Sequence, residues 1–293
     1  MTLLQVNKLT KRFGNELAVN DISFLLEEGT STALIGPNGA GKTTTLAILA
    51  GLLRETEGTV HWNEQAGIGF LPQQPRFYSW LTALEFTEMA AKISGIPAPK
   101  AKLQAQKTLE FVGLDAALYK KTGTFSGGMR QRLGLAQAIV HQPKLLLLDE
   151  PVSALDPTGR REIMELLKSL LPETTILYST HILNDAEEMT DQLLFMQRGS
   201  LVEQGSLSEV RHKYADPRIK IRFKNESEAE TFVKAVPWEA THKGTVAFLP
   251  IEQNEPAMRA VLKFLSEQES AIIGVEEQSA SLEEIFFKVV GAK

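Results

Sequence analysis

Cysteine is absent from all 293 residues. That excludes disulfide frameworks, thiolate metal sites and cysteine nucleophiles. No apolar run approaches the ~20 residues that span a bilayer. Met1–Lys11 alternates polar and apolar residues and lacks the apolar stretch of a signal peptide. The expectation is a protein made and kept in the cytoplasm, reaching a membrane only through a partner. A basic excess is also missing. The net charge is −5, and from Tyr214 onward 10 Lys/Arg face 13 Asp/Glu. Nucleic acid is therefore not expected as a partner. There is no low-complexity tract and no long repeat. What is present is ordinary globular material, 43% hydrophobic and 23% charged, in a chain comfortable for two domains at ~150 residues each.

The patterns fall into two blocks, residues 1–210 and 214–293. In the first, Leu3–Leu9 and Ile22–Leu26 read as strands of period two. Ser31–Ile35 reads as a short buried strand entering a glycine-rich turn, and Lys42–Leu53 as the helix after it. Thr59–Trp62 and Ile68–Leu71 are further strands. Residues 82–141 are mainly helical, broken by Gly95, Pro97 and Gly113. Lys144–Asp149 carries four consecutive leucines, the pattern of a strand buried on both faces of a parallel sheet. Pro157 suits the first turn of a helix reaching Leu171, with strands at Thr175–Ser179 and Gln192–Met196. Repeated strand–helix units predict an α/β fold with a mostly parallel sheet. The second block reads strand Arg218–Phe223, helix Glu226–Val236, strand Thr245–Pro250, helix Glu255–Glu267, strand Ala271–Val275, helix Ser281–Val289. It is a small C-terminal α+β module without a phosphate loop.

Gly36-Pro37-Asn38-Gly39-Ala40-Gly41-Lys42-Thr43 fits G-x-x-x-x-G-K-[ST] between a buried strand and a helix, the context this motif needs. Its glycines let backbone N–H groups turn inward around phosphate oxygens, and the helix N-terminus adds its dipole. Lys42 supplies a point charge to the terminal phosphates and Thr43 a hydroxyl to Mg²⁺. A chance match is expected in roughly one such chain in a hundred on average composition. Asp149-Glu150 then follows the leucine strand. A carboxylate at the carboxyl end of such a strand lies beside the phosphate loop, so Asp149 is the candidate to hold Mg²⁺ through water and Glu150 to polarise an attacking water.

Ser126-Gly127-Gly128-Met129-Arg130-Gln131-Arg132 narrows this further. With the motifs above, it resembles the ATP-binding subunit of ABC transporters over about residues 1–210, most like those of bacterial ABC-2-type exporters. The resemblance implies a P-loop NTPase with a helical subdomain over about residues 75–140 and an antiparallel β subdomain. It implies an ATP-binding set of Phe13, stacked on adenine, and the loop from Gly36 to Thr43 with Thr44. Gln73 stands at the position that contacts Mg²⁺ and the lytic water, and His181 at the switch histidine on the γ-phosphate. Ser126, Gly127, Gly128 and Met129 form the signature that caps the nucleotide held by a second subunit. Ser153, Ala154, Leu155 and Asp156 match the loop that crosses between subunits. Singly, Phe13 is a strand-end aromatic, Gln73 a turn residue with Gln74 beside it, and His181 an ordinary histidine; their order and spacing tie them together. The usual signature begins with leucine and ends with glutamine. Phe125 and Met129 stand there instead, leaving the Ser126 hydroxyl and the N–H groups of Gly127 and Gly128 in place.

The same resemblance implies the cofactors ATP and Mg²⁺ and two kinds of partner. One is a second ATPase subunit, either another copy or a related chain, because one phosphate loop and one signature make half of an ATP sandwich. The other is a separate transmembrane permease subunit, whose cytoplasmic helix would meet the aromatic stretch Pro75–Leu81. Ribosome-acting relatives usually hold two ATPase units in one chain. DNA-repair relatives insert long coiled coils where only about 80 residues separate phosphate loop and signature here. The closing Ser281-Leu282-Glu283-Glu284-Ile285-Phe286 is similar to the end of exporter ATPases with separate membrane subunits.

Overall fold

Two twelve-residue strands, β1 (Thr2–Phe13) and β2 (Glu16–Glu27), open the chain and turn at Gly14, whose φ of 57° suits a residue without a Cβ. This and all that follows comes from a computed structural model describing residues 1–62, 67–153, 155–252, 255–268 and 271–291. The chain divides into two compact units, Met1–Leu207 and a second beginning at Ser208.

In the first unit, β1 pairs antiparallel with β2 and with β4 (Glu57–Trp62), in the order β2-β1-β4. β3 (Ser31–Ile35) instead enters a six-stranded sheet with β5 (Ile68–Leu71), β6 (Leu145–Asp149), β7 (Thr175–Thr180), β8 (Gln192–Gln197) and β9 (Ser200–Ser206). The order is β5-β6-β7-β3-β8-β9, with parallel pairing throughout except for β9, which folds back along β8. Every residue of β3, β6 and β7 is buried, as a strand covered on both faces requires.

Helices α1 (Lys42–Leu49), α2 (Ala83–Ile93), α3 (Ala98–Phe111), α4 (Gly127–Ile139), α5 (Pro157–Leu170) and α6 (Leu183–Met189) complete the first unit, and α7 (Leu207–Lys213) opens the second. α2, α3 and α4 pack against one another within the stretch expected to form a helical subdomain. Its first helix is set by a capping box, with the Thr82 hydroxyl accepting from Glu85 N–H at 3.2 Å and the Glu85 carboxylate accepting from Thr82 N–H at 2.8 Å. α1 stops four residues before the expected Leu53 because Gly51, at φ 72°, turns the chain out of the helix. β9, α6 and α7 were not expected; each is seven residues long, β9 is only partly buried, and none carries a strong period.

The second unit has an antiparallel sheet in the order β11-β12-β10-β13, made of β10 (Arg218–Phe223), β11 (Thr241–Lys243), β12 (Val246–Pro250) and β13 (Ile272–Gln278). Ile219, Ile221 and Phe223 point to one face of β10 and pack with Ala229 and Phe232 of α8 (Glu226–Ala235) and Val261 and Leu265 of α9 (Met258–Ser266). α9 begins three residues later than the sequence pattern predicts, because Glu255 exchanges backbone hydrogen bonds of 2.8 Å with Glu252 rather than starting a helix. α10 (Leu282–Gly291) is capped by Ser281, whose hydroxyl accepts from Glu284 N–H at 3.2 Å. The fold class expected from the sequence is the one observed.

Candidate active site

Strand order places the chemistry. β3 lies between β7 and β8, and the glycine loop leaves its carboxyl end. Two glycines are required by close approach: a Cβ at Gly36 would lie 2.3 Å from Met196 O, and one at Gly41, whose φ is 103°, would lie 2.4 Å from Ala18 O. The loop then runs directly into α1, so the free N–H groups of the helix's first turn border it. The Lys42 ammonium is buried against the loop, donating to Gly36 O at 2.7 Å and Pro37 O at 3.2 Å. Burial pushes its pKa below the usual lysine value, while Glu150 and Asp149 pull it back up.

Asp149 ends β6, and Ser179 on the neighbouring β7 organises it. The Ser179 hydroxyl donates to Asp149 Oδ1 at 2.6 Å and accepts from Glu150 N–H at 2.9 Å. In the sequence Ser179 is only the last residue of an expected strand; the register Asp149↔Ser179 across β6 and β7 gives it a role. Glu150 itself has φ 49°, a conformation costing about 1–2 kcal/mol for a residue with a Cβ. That turn carries its side chain back over the loop. There Glu150 Oε1 is 3.1 Å from His181 Nδ1 and 3.9 Å from Lys42 Nζ, and Oε2 accepts from Gln73 Nε2 at 3.4 Å. Residues from β3's loop, the end of β5, the end of β6 and the end of β7 thus meet at one carboxylate.

Above the loop lies a cleft of about 670 Å³. Phe13, Asn38, Gly39, Ala40, Gly41, Lys42, Thr43, Thr44, Gln73 and Glu150 line it. Phe13 is 47% exposed at its edge, with Lys11 Nζ 5.0 Å from the ring centroid. Gly36 and Pro37 act through the carbonyls that hold Lys42, while Asp149 and His181 reach the cleft only through Ser179 and Glu150. Glu16, Leu17, Ala18 and Arg198 also line the cleft and were not singled out from the sequence. Leu17 and Ala18 closely follow Phe13, which was a usable signal. Arg198 lies in a distant hairpin turn and gave none.

The residues fit a nucleotide with Mg²⁺. The cradle is glycine where a Cβ would collide, it holds a buried cation, and Thr43 and Gln73, which carry side-chain oxygens, line the same space. No group of three or more His, Cys, Asp or Glu placed to hold a metal occurs among the described residues. Mg²⁺ takes one or two protein oxygens and fills its other positions with phosphate and water, so the oxygen-bearing side chains of Thr43 and Gln73 match its needs.

The signature stands outside this cleft. Ser126 is exposed and caps α4, accepting from Met129 N–H at 3.3 Å. Gly127 is exposed too, and a Cβ added at Gly128 would meet Leu155 Cδ2 at 3.6 Å. Ser153 donates its hydroxyl to Glu150 O at 3.2 Å, and Asp156 caps α5 by accepting from Gly159 N–H at 3.4 Å. Ala154 lies outside the described residues. Among the described residues the signature thus lies beside Leu155 of the crossing loop and outside the phosphate-loop cleft, whereas Ser153 of the crossing loop is bonded to Glu150 at the cleft's edge.

One buried contact joins α4 to the segment that follows β6: Gln131 Nε2 donates to Pro151 O at 2.8 Å. Gln131→Ala leaves that carbonyl unpaired, and a loss of about 1–3 kcal/mol of stability is expected in urea denaturation. A loss below about 0.3 kcal/mol would show that the amide is dispensable.

The sequence profile of the ABC transporter family matches residues 19–153, and that of the C-terminal domain of DrrA1-3-like ATP-binding proteins matches residues 205–290. An uncharacterized ABC transporter ATP-binding protein of Bacillus subtilis, YxlF, is 40% identical over 99% of this chain and 100% of its own length. The bacitracin transport ATP-binding protein BcrA of Bacillus licheniformis is 32% identical over 99% of this chain and 98% of its own. A dimeric ATP-binding cassette solved in a post-hydrolysis state with ADP and Pi superimposes with a TM-score of 0.65 at 26% identity, covering 70% of this chain and 99% of that one. The chain belongs to the ATP-binding subunits of ABC transporters.

Proposed function

We propose that this subunit hydrolyses ATP with Mg²⁺ and powers an exporter by joining and releasing a second ATPase subunit. The convergence of Lys42, Gln73 and His181 on the Glu150 carboxylate carries the reading, because these donors suit the oxygens of a terminal phosphate. Phe13 takes the adenine face. The loop from Asn38 to Thr44 and the start of α1 cradle the phosphates. Thr43 and Gln73, with Asp149 through water, would hold Mg²⁺, which supplies charge neutralisation at the β- and γ-oxygens. His181 shifts its hydrogen bond from Glu150 to the γ-phosphate, and the Lys42 ammonium, 3.9 Å from Glu150, turns its charge to the same group. Glu150, released, accepts a proton from the water that attacks the γ-phosphorus. The bond to the β–γ bridging oxygen breaks, giving ADP and phosphate.

Ser126, Gly127, Gly128 and Met129 complete the site of a second subunit, and Ser153 to Asp156 form the crossing between the two. The separation of signature and cleft within one chain supports this, as does the dimeric state of the solved relative. A groove of about 560 Å³ beside Gln73, lined by Phe70, Arg76, Phe77, Tyr78 and Met89 among others, is the proposed seat of a permease's cytoplasmic helix. Tyr78, which lines the groove, is half exposed, and the exposed Trp80 ring lies 5.1 Å from it, whereas core aromatics are usually buried. This seating would place the protein on the inner face of the cell membrane. Transport is named for the relative BcrA, and the match of its whole length to this chain supports an exporter.

The test is ATP hydrolysis as a function of protein concentration. A site completed by a second copy gives a specific activity that rises with concentration and then saturates, and chelation of Mg²⁺ removes it. Hydrolysis strictly proportional to protein, down to nanomolar dilution, would defeat the two-subunit site.

A further inference from the structure

Arg198 lies in the turn between β8 and β9 and lines the cleft. Three observations set it apart. Its φ is 47°, in the left-handed region that residues with a Cβ seldom adopt. The turn is also fixed at both sides. Gly199 N–H donates to Ala40 O of the phosphate loop at 2.9 Å, and Gly199 O accepts from Asn20 N–H of β2 at 2.8 Å. Gly199 has φ 83°, and a Cβ there would lie 3.1 Å from Ala18 O. Finally, among the described residues no hydrogen bond or ion pair engages the guanidinium, although Glu16 lines the same cleft. Lys42 is tied to loop carbonyls and Lys11 to Arg54 O, so Arg198 is the cleft cation whose charge the fold does not use.

The position in the cleft follows from the anchors. Phe13 marks the base end and the loop residues mark the β- and γ-phosphates. The Arg198 turn is bonded between Ala40 on the phosphate side and Asn20 on the strand that follows Phe13. Ribose and α-phosphate are the parts of a nucleotide that lie between base and β-phosphate. An arginine offers several donors in a planar fork suited to phosphate oxygens. We infer that Arg198 is a nucleotide-binding residue whose guanidinium meets the α-phosphate and ribose. This rests on the reading of the cleft as an ATP site. It also means that the contact is made equally to ATP and ADP.

Calorimetric titration of the full chain with ADP and with a non-hydrolysable ATP analogue, both with Mg²⁺, tests this. The variants are Arg198→Asn, a residue that tolerates the left-handed conformation, and Arg198→Gly, which relaxes it. Both Kd values are expected to rise about five- to tenfold in each variant, with KM for ATP rising by the same factor. Added salt should narrow the difference between wild type and variant. Unchanged Kd values in a folded variant would overturn the assignment of Arg198 while leaving the ATP site standing. Weakening of the ATP analogue alone would also overturn it, because the guanidinium would then serve the γ-phosphate. A wild-type chain that binds neither nucleotide would overturn the ATP site and this assignment together.

Discussion

Lys42→Ala is expected to weaken ATP binding about a hundredfold or more and to reduce hydrolysis to background, measured by nucleotide titration and phosphate release. The ammonium is the buried cation of the loop. It bonds the carbonyls of Gly36 and Pro37 and lies 3.9 Å from Glu150 Oε1. Truncation removes the charge that faces the phosphates. It also leaves two carbonyls and a buried carboxylate turned toward incoming negative charge, so the electrostatics of the loop change from attractive to repulsive. Loss of activity through misfolding is separable, because the sheet core of Leu34, Leu147 and Leu177 does not depend on this side chain. Thermal melting within a few degrees of wild type, with binding gone, is the expected pair of results. Near-normal hydrolysis by a clean Lys42→Ala preparation would mean that the cleft is not the site.

Much of this was legible in the sequence because single positions were chemically forced. The four leucines before Asp149 demanded a strand buried on both faces, and β6 is that strand. The glycines at 36 and 41 sit where any Cβ would strike a backbone oxygen. The repeating strand–helix pattern implied a parallel sheet. Other features depend on pairing that one chain segment cannot announce. The Ser179 bridge to Asp149 exists only because β6 and β7 are neighbours in register. Gln131 reads as a polar helix residue until α4 is seen against Pro151. Arg198 is one more turn cation until the hairpin of β8 and β9 is brought beside the phosphate loop. The positive φ of Glu150 has no sequence signature at all, since glutamate rarely adopts it. Element ends fared worse than element identities. α1 and α9 are both shorter than their apolar patterns, one cut by Gly51 and the other by the backbone hydrogen bonds that Glu255 exchanges with Glu252.

Glu150→Gln is expected to keep nucleotide affinity within a few-fold and to lower kcat about a thousandfold. The amide has the shape of the carboxylate but cannot take a proton from water. Its surroundings accommodate it: His181 Nδ1 and Lys42 Nζ can still face an oxygen, and Gln73 can rotate its own amide to present an acceptor to the new N–H₂. The left-handed backbone at this position is no harder for glutamine than for glutamate, so the fold is retained. Neutralisation also removes negative charge beside the γ-phosphate, which favours the ATP-bound form. With binding intact and cleavage slowed, the state in which ATP joins two subunits should accumulate. Size-exclusion chromatography of Glu150→Gln with ATP and Mg²⁺ should show twice the monomer mass, and ADP should return it to monomer. A variant that remains monomeric at high protein and ATP concentration would mean that the second subunit is a related chain, because Ser126, Gly127 and Gly128 of a second copy would then fail to cap the phosphate held by Lys42.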